Sequence, residues 1–183
     1  MEKENQNTIK LFNNLEIPRF GLGTYSINDS DVIYNSIKNG VRMIDTALFY
    51  ENEKVVGEGI SKALKDNLCK REELFIITKI WPTHYDRVEE TIKQQLIDLQ
   101  LDYVDLYLLH WPLRVIDEKK QIMKVPTHVL WEKLEGLVKN GQAKSIGLSN
   151  FQTQLILDIL TYCEIQPAVN EIELLLIYKE KNW

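Results

Sequence analysis

Five apolar runs in this chain end on side chains that carry charge, move protons or hydrogen-bond. Asp45 closes RMID, Lys79 closes LFIITK and His110 closes YVDLYLLH, while Ser149-Asn150 follow AKSIGL and Glu171 lies within AVNEIE. The intervals are 34, 31, 39 and 22 residues, and all but the last match a full strand–helix unit. A lysine after FIIT or a histidine after LYLL sits badly in an apolar core unless it is paired. Singly, each has a plain role: Asp45 a structural ion pair, Tyr50 a loop tyrosine, Lys79 a side chain reaching for water, His110 the cap of a strand. Their common position at run ends makes them a candidate constellation. Two other chemistries find no pattern. His84, His110 and His128 lack metal-ligand spacing. Gly21-Leu22-Gly23 is only G-x-G, with Ser26 where a dinucleotide fingerprint has its third glycine.

The elements that must position these residues alternate regularly. The opening TIKLF-NN-LEIPRFGLGT predicts a hairpin. Strands are expected at Phe20–Thr24, Arg42–Asp45, Leu74–Lys79, Tyr103–His110, Ala143–Leu148 and Ala168–Glu173. Cores such as FIIT and VDLYLL are nearly all apolar, as in parallel strands covered on both faces. Helices are expected at Asp29–Lys38, Glu53–Leu64, Val88–Leu99, Thr127–Val138 and Gln152–Leu160. This order means an α/β protein with right-handed crossovers, either a doubly wound sheet or a (β/α)₈ barrel. The missing fingerprint counts against the former. In a barrel the C-terminal ends of the strands converge on one rim, where catalytic groups collect.

Composition excludes several classes. There are 27 acidic and 22 basic residues, a net charge of −5, so no basic footprint for nucleic acid exists. Hydrophobic residues at 44% and charged residues at 27% describe a globular chain. No apolar stretch is long enough to span a membrane, and MEKENQNTIK lacks a signal-peptide core. Cys69 and Cys163 carry no motif and read as reduced thiols, which makes the cytoplasm the expected location.

GVRMIDTALFYENEKVVG resembles the first signature of the aldo-keto reductases, and FIITKIW, LYLLHWP, KSIGLSNF and QPAVNEIEL resemble later landmarks in order and spacing. The likeness runs from about Ile9 to Leu174. It implies a TIM-type barrel and reduction of aldehydes or ketones with NADPH. It places a catalytic tetrad on Asp45, Tyr50, Lys79 and His110. Tyr50 would donate the proton, Lys79 would lower its pKa while held by Asp45, and His110 would orient the carbonyl. It also implies that Gly23, Thr24, Asp45, Ser149, Asn150 and Glu171 meet the cofactor, and that Tyr25, Trp81 and Trp111 line an apolar mouth for a small carbonyl substrate. No metal is implied.

Two departures from the family pattern stand out. Glu171 replaces a usual Gln, bringing an acceptor-only carboxylate toward a carboxamide. The chain also ends at Trp183 with LLIYKEKNW, whereas such barrels take about 250 residues. The expectation is therefore one domain over 1–183: an incomplete barrel of six strands behind an N-terminal hairpin. Loops after the seventh and eighth strands, which in the family hold the 2′-phosphate, are not in the chain, so NADP binding is expected to be weak or absent. Open edges at Phe20–Thr24 and Ala168–Leu174 call for a protein partner. The alternative is a catalytically silent subunit of an assembly.

Overall fold

The alternating runs become one parallel sheet in a computed structural model that describes residues 7–112 and 125–174. The hairpin comes first, β1 (Thr8–Lys10) antiparallel to β2 (Glu16–Pro18). Six parallel strands follow: β3 (Leu22–Gly23), β4 (Met43–Asp45), β5 (Phe75–Ile80), β6 (Val104–Leu109), β7 (Ala143–Ser149) and β8 (Asn170–Glu171). The helices between them are α1 (Ser30–Lys38), α2 (Glu53–Lys65), α3 (Val88–Leu99), α4 (Thr127–Lys139) and α5 (Thr153–Leu160). Strand order in space equals order in sequence. A doubly wound sheet reverses its order at one point; a sheet that never reverses, with right-handed crossovers, keeps its helices on one face and forms the wall of a (β/α)₈ barrel.

Local chemistry sets the helix limits. Asp29 caps α1 by accepting the Asp31 N–H at 2.9 Å, and the chain leaves α1 through Gly40 at φ +96°. Gly141 ends α4 in the same way at φ +75°. Between helices and sheet, Ile33, Ile37, Val56, Ile60, Ile92, Leu134 and Leu137 pack on Ile44, Ile76, Tyr107, Leu109, Ile146 and Leu148. Each fully buried aliphatic side chain contributes about 1.5–3 kcal/mol.

The inner face holds a second, smaller cluster. Phe75, Ile77, Leu106, Leu108 and Ala168 meet Met43, Val169 and, from the hairpin, Leu11, Leu15 and Ile17. Asn13 Nδ2 also donates to Ser145 Oγ on β7 at 3.0 Å. The hairpin thus plugs the N-terminal end of the half-barrel, and polar residues occupy the other end.

Three expectations need adjustment. The run LEIPRFGLGT does not form one hairpin arm. It splits between β2 and β3, because Pro18 lacks an N–H and Gly21 passes so close to Met43 that a Cβ would lie 2.7 Å from its methyl. The strand expected at Phe20–Thr24 is therefore only Leu22–Gly23, and Phe20 is exposed. The last strand is Asn170–Glu171, although the Ala168 N–H still bonds Ile146 O; Ile172 and Leu174 turn outward. Both ends of the expected 1–183 span, including the segment after Leu174, lie outside the described residues.

Candidate active site

β5 carries the core on both faces and the site on one of them. Phe75, Ile77 and Lys79 point inward, while Ile76, Thr78 and Ile80 point to the helices. Lys79 is fully buried, and its Nζ has four neighbours at the rim. It is ion-paired with Asp45 Oδ1, lies 3.2 Å from Glu171 Oε1, donates to Thr46 O at 3.2 Å, and stands 5.3 Å from the Tyr50 ring centroid. β4, β5 and β8 therefore meet on one ammonium group.

Tyr50 reaches this point by a short 3₁₀ turn, Leu48–Tyr50, that ends on Glu51 at φ 54°. Asn52 holds the turn. Its buried amide donates to Thr24 O at 2.7 Å and Ile27 O at 2.9 Å, and accepts from Thr46 Oγ1 at 3.1 Å. The loops after β3 and β4 are locked together by that one side chain.

An aromatic wall surrounds the hydroxyl. The Tyr25 ring sits edge-on to Tyr50 at 5.2 Å, and His110 lies across at 5.8 Å. Trp81 contacts His110 at 5.1 Å and is stacked under Phe49 at 4.0 Å. Trp111 stands apart: among the described residues its ring touches none of these, and its carbonyl accepts the Tyr85 hydroxyl at 2.6 Å. Asn150 Nδ2 donates to His110 O and to Ser149 Oγ, both at 3.0 Å, so this pair braces the histidine from β7. Gly23 and Thr24 end β3 beside Asp45, with Thr24 N–H on Asp45 O.

Burial dominates the electrostatics. It pushes Asp45 up to about 6 against the pull of Lys79, and the Glu171 charge adds to the rise. Burial works to neutralise Lys79, but Asp45, Glu171 and Tyr50 outweigh it and hold the ammonium above its ordinary range. His110 is lowered to about 4 by burial and by Lys79, so it is a neutral imidazole at pH 7. Tyr50 is raised by burial, which Lys79 opposes and Asp45 and Glu171 reinforce. The lysine acts in the expected sense, yet the net direction for the phenol is upward. At neutral pH the imidazole is therefore neutral and the phenol keeps its proton.

Behind Lys79, on the helix side of β5, lies a buried polar network absent from the sequence-based candidates. Glu53 Oε1 accepts from Thr78 Oγ1 at 2.5 Å and Gln95 Nε2 at 2.9 Å, and Gln95 Nε2 also lies 3.3 Å from Lys79 O. Tyr107 donates to Gln95 Oε1 at 2.7 Å. Burial raises Glu53 from 4.5 to about 7. A carboxyl whose pKa is higher folded than unfolded stabilises the fold at low pH and loses that contribution as pH rises through the window from about 4.5 to about 7. Glu53→Gln should therefore flatten the fall in unfolding free energy across that window. Urea melts at pH 5, 6, 7 and 8 check this; an unchanged slope would refute the assignment.

Phe49, Asn52, Glu53 and Gln95 escaped the sequence reading. The first three sit in the stretch FYENE beside Tyr50, and a polar residue on the buried side of an amphipathic helix was the available signal for Glu53 and Gln95. His84 is half-buried with Nδ1 near Thr83 Oγ1, and His128 is exposed; neither approaches the rim cluster. Cys69 and Cys163 are free thiols. No helix among the described residues is long and apolar enough to cross a membrane.

A sequential parallel wall with ionisable residues at the C-terminal strand ends defines a (β/α)₈-barrel site of the catalytic type. Residues 21–182 match the profile of the aldo/keto reductase family, and the chain belongs to that family. It is 43% identical over 186 residues to the NADPH-dependent D-xylose reductase of Candida boidinii, covering 90% of this chain and 58% of that protein. It is 44% identical to the NADH-dependent D-xylose reductase of Candida parapsilosis, covering 90% and 57%. The aldo-keto reductase of Bombyx mori, solved in complex with NADP, superimposes with a TM-score of 0.84 at 32% identity, covering 91% of this chain and 58% of that one. The chain thus spans somewhat under three fifths of the length of these relatives.

Proposed function

We propose that this chain carries the proton-transfer half of an aldo/keto reductase site and reduces aldehydes or ketones to alcohols with NADPH. The observation that carries the proposal is the single ammonium, Lys79, set between Asp45 and the Tyr50 ring with a neutral imidazole opposite. A bound reduced nicotinamide supplies a hydride to the carbonyl carbon. Tyr50 then delivers its proton to the oxygen, and Lys79 offsets the charge left on the phenolate. His110, neutral, donates a hydrogen bond to the carbonyl oxygen and orients it.

The rim suits a nicotinamide ring on two counts. Added atoms at Gly23 would meet nothing within 4 Å, and Ser149 and Asn150 bring hydroxyl and amide groups to the end of β7. Ser149 and Asn150, with Gly23, Thr24 and Asp45, are the residues proposed to hold it. Tyr25, Trp81 and the exposed Phe49 form an apolar approach for the substrate, with Trp111 farther out. D-xylose, named for the fungal relatives, is the first substrate to test.

The experiment is a spectrophotometric assay of NADPH and NADH consumption by the purified protein, with D-xylose and benzaldehyde as acceptors, alongside quenching of NADPH fluorescence. Carbonyl-dependent oxidation of reduced nicotinamide, with weak cofactor affinity, is expected. The absence of both quenching and turnover with every combination would overturn the proposal.

A further inference from the structure

The unusual feature of this rim is that a single ammonium, Lys79, serves two carboxylates. Lys79 Nζ is paired with Asp45 on β4 and lies 3.2 Å from Glu171 Oε1 on β8. The two strands approach it from opposite sides of β5, with β6 and β7 between β5 and β8. Asp45 is the more enclosed partner, while Glu171 keeps about a third of its side chain in solvent. We propose that Glu171 is a positioning residue that draws on the Lys79 ammonium, weakens its hold on the Tyr50 oxygen, and so biases the site toward carbonyl reduction over alcohol oxidation. This rests on the function proposed above and deepens it.

The chemistry is a competition for one cation. Reduction needs Tyr50 with its proton on; oxidation of an alcohol needs Tyr50 as the phenolate that takes a proton from the hydroxyl while hydride leaves the carbon for the oxidised nicotinamide. A phenolate is stabilised by an ammonium nearby and destabilised by a carboxylate nearby. The groups facing Tyr50 are Asp45 from β4, Lys79 from β5, His110 after β6, Glu171 from β8 and Tyr25 from the loop after β3. Glu53 faces Lys79 from behind the sheet. Among the described residues, the charged groups around Tyr50 at the rim are two carboxylates, Asp45 and Glu171, and one ammonium, Lys79. Glu171 is thus the charge that tips the rim from neutral to net negative around the phenol. A carboxamide at this position would leave Asp45 and Lys79 as a balanced pair, with the whole ammonium available to Tyr50. In its observed place the Glu171 carboxylate is also directed to Lys79, a partner that a carboxamide would meet without charge.

The test reads Tyr50 ionisation directly, so it does not depend on turnover. Protein labelled with ¹³C at the tyrosine Cζ is titrated with base, and the Tyr50 signal is assigned by its loss in Tyr50→Phe. Glu171→Gln and Glu171→Ala, two neutral replacements of different size at a partly exposed position, are titrated alongside. Both are expected to lower the Tyr50 midpoint by about one pH unit. A midpoint unchanged in whichever neutral variant folds would overturn the proposal. In turnover assays the same variants should raise the ratio of alcohol oxidation to carbonyl reduction at fixed pH several-fold. An unchanged ratio would likewise count against it. Absence of turnover in parent and variants alike would refute the function of the preceding subsection and leave the titration to decide the role of Glu171.

Discussion

Tyr50→Phe is expected to lower carbonyl reduction by about 10²–10⁴-fold while leaving cofactor affinity and stability close to the parent values. The reason is specific to this rim. His110 is held at about 4, so at neutral pH it has no spare proton to deliver. Lys79 is held above its ordinary range by two carboxylates and is a poor acid. Asp45, at about 6, is ionised at neutral pH. Tyr50 alone combines a proton that is present with a neighbouring cation that eases its departure. The hydroxyl's contact with Lys79 is lost, but the ammonium keeps Asp45 and Glu171, and the phenyl ring keeps its edge contacts with Tyr25 and His110. Steady-state kinetics with a fluorescence titration of NADPH separate the two quantities. Near-parent kcat in the variant would mean that another acid serves. A large rise in cofactor Kd with kcat retained would mean that Tyr50 binds rather than reacts.

Lys79→Met is expected to be the most damaging single change, costing about 3–5 kcal/mol of stability at pH 8 in addition to turnover. Met fills much of the same volume, so the loss is electrostatic. Asp45 and Glu171 would face each other with no cation between them, and Asp45 is largely enclosed. The pH dependence follows from the sign. Asp45 is already raised to about 6 with the ammonium present, and without it the folded-state value rises further. A carboxyl that binds its proton more tightly when folded favours the native state at low pH and loses that contribution as pH increases. The gap between parent and variant should therefore be small near pH 5 and widen through pH 6 to 8. Urea melts at those pH values test it; a gap independent of pH would show that packing, and not charge, sets the cost.

Much of this was legible in the chain itself because two independent periodicities agree. Runs such as FIIT and VDLYLL are nearly all apolar, which marks strands covered on both faces, and the intervening stripes mark helices. Asp45, Lys79 and His110 stood out because a charged or ionisable side chain closes an otherwise apolar strand. Other features depend on distances that no local pattern encodes. Alternation along TIKLF and LEIPRF tells which residues share a face, but not that Leu11, Leu15 and Ile17 turn that face into the half-barrel. Glu171 was expected beside a carboxamide; only the approach of β8 to β5 across two intervening strands brings it to Lys79. Nothing in FYENE shows that Phe49 stacks on Trp81, 32 residues away in sequence. The upward direction for Tyr50 was missed because the helpful lysine is evident from sequence while the enclosure opposing it is a property of the folded rim.

The two faces of β5 have a consequence for folding errors. Thr78 is received on the helix side by Glu53 and Gln95, and Lys79, one residue on, is received on the inner side by Asp45 and Glu171. Successive strand residues alternate faces, so a slip by one position would drive the lysine into the helix layer, leave Asp45 and Glu171 without their cation, and take Thr78 from its partners. Such a slipped chain would suffer several unmet polar groups at once, each costing about 1–3 kcal/mol. The groups proposed for chemistry thus also act as a proofreading device: a molecule that assembles this wall incorrectly fails to hold together, and few inert impostors persist beside the functional form.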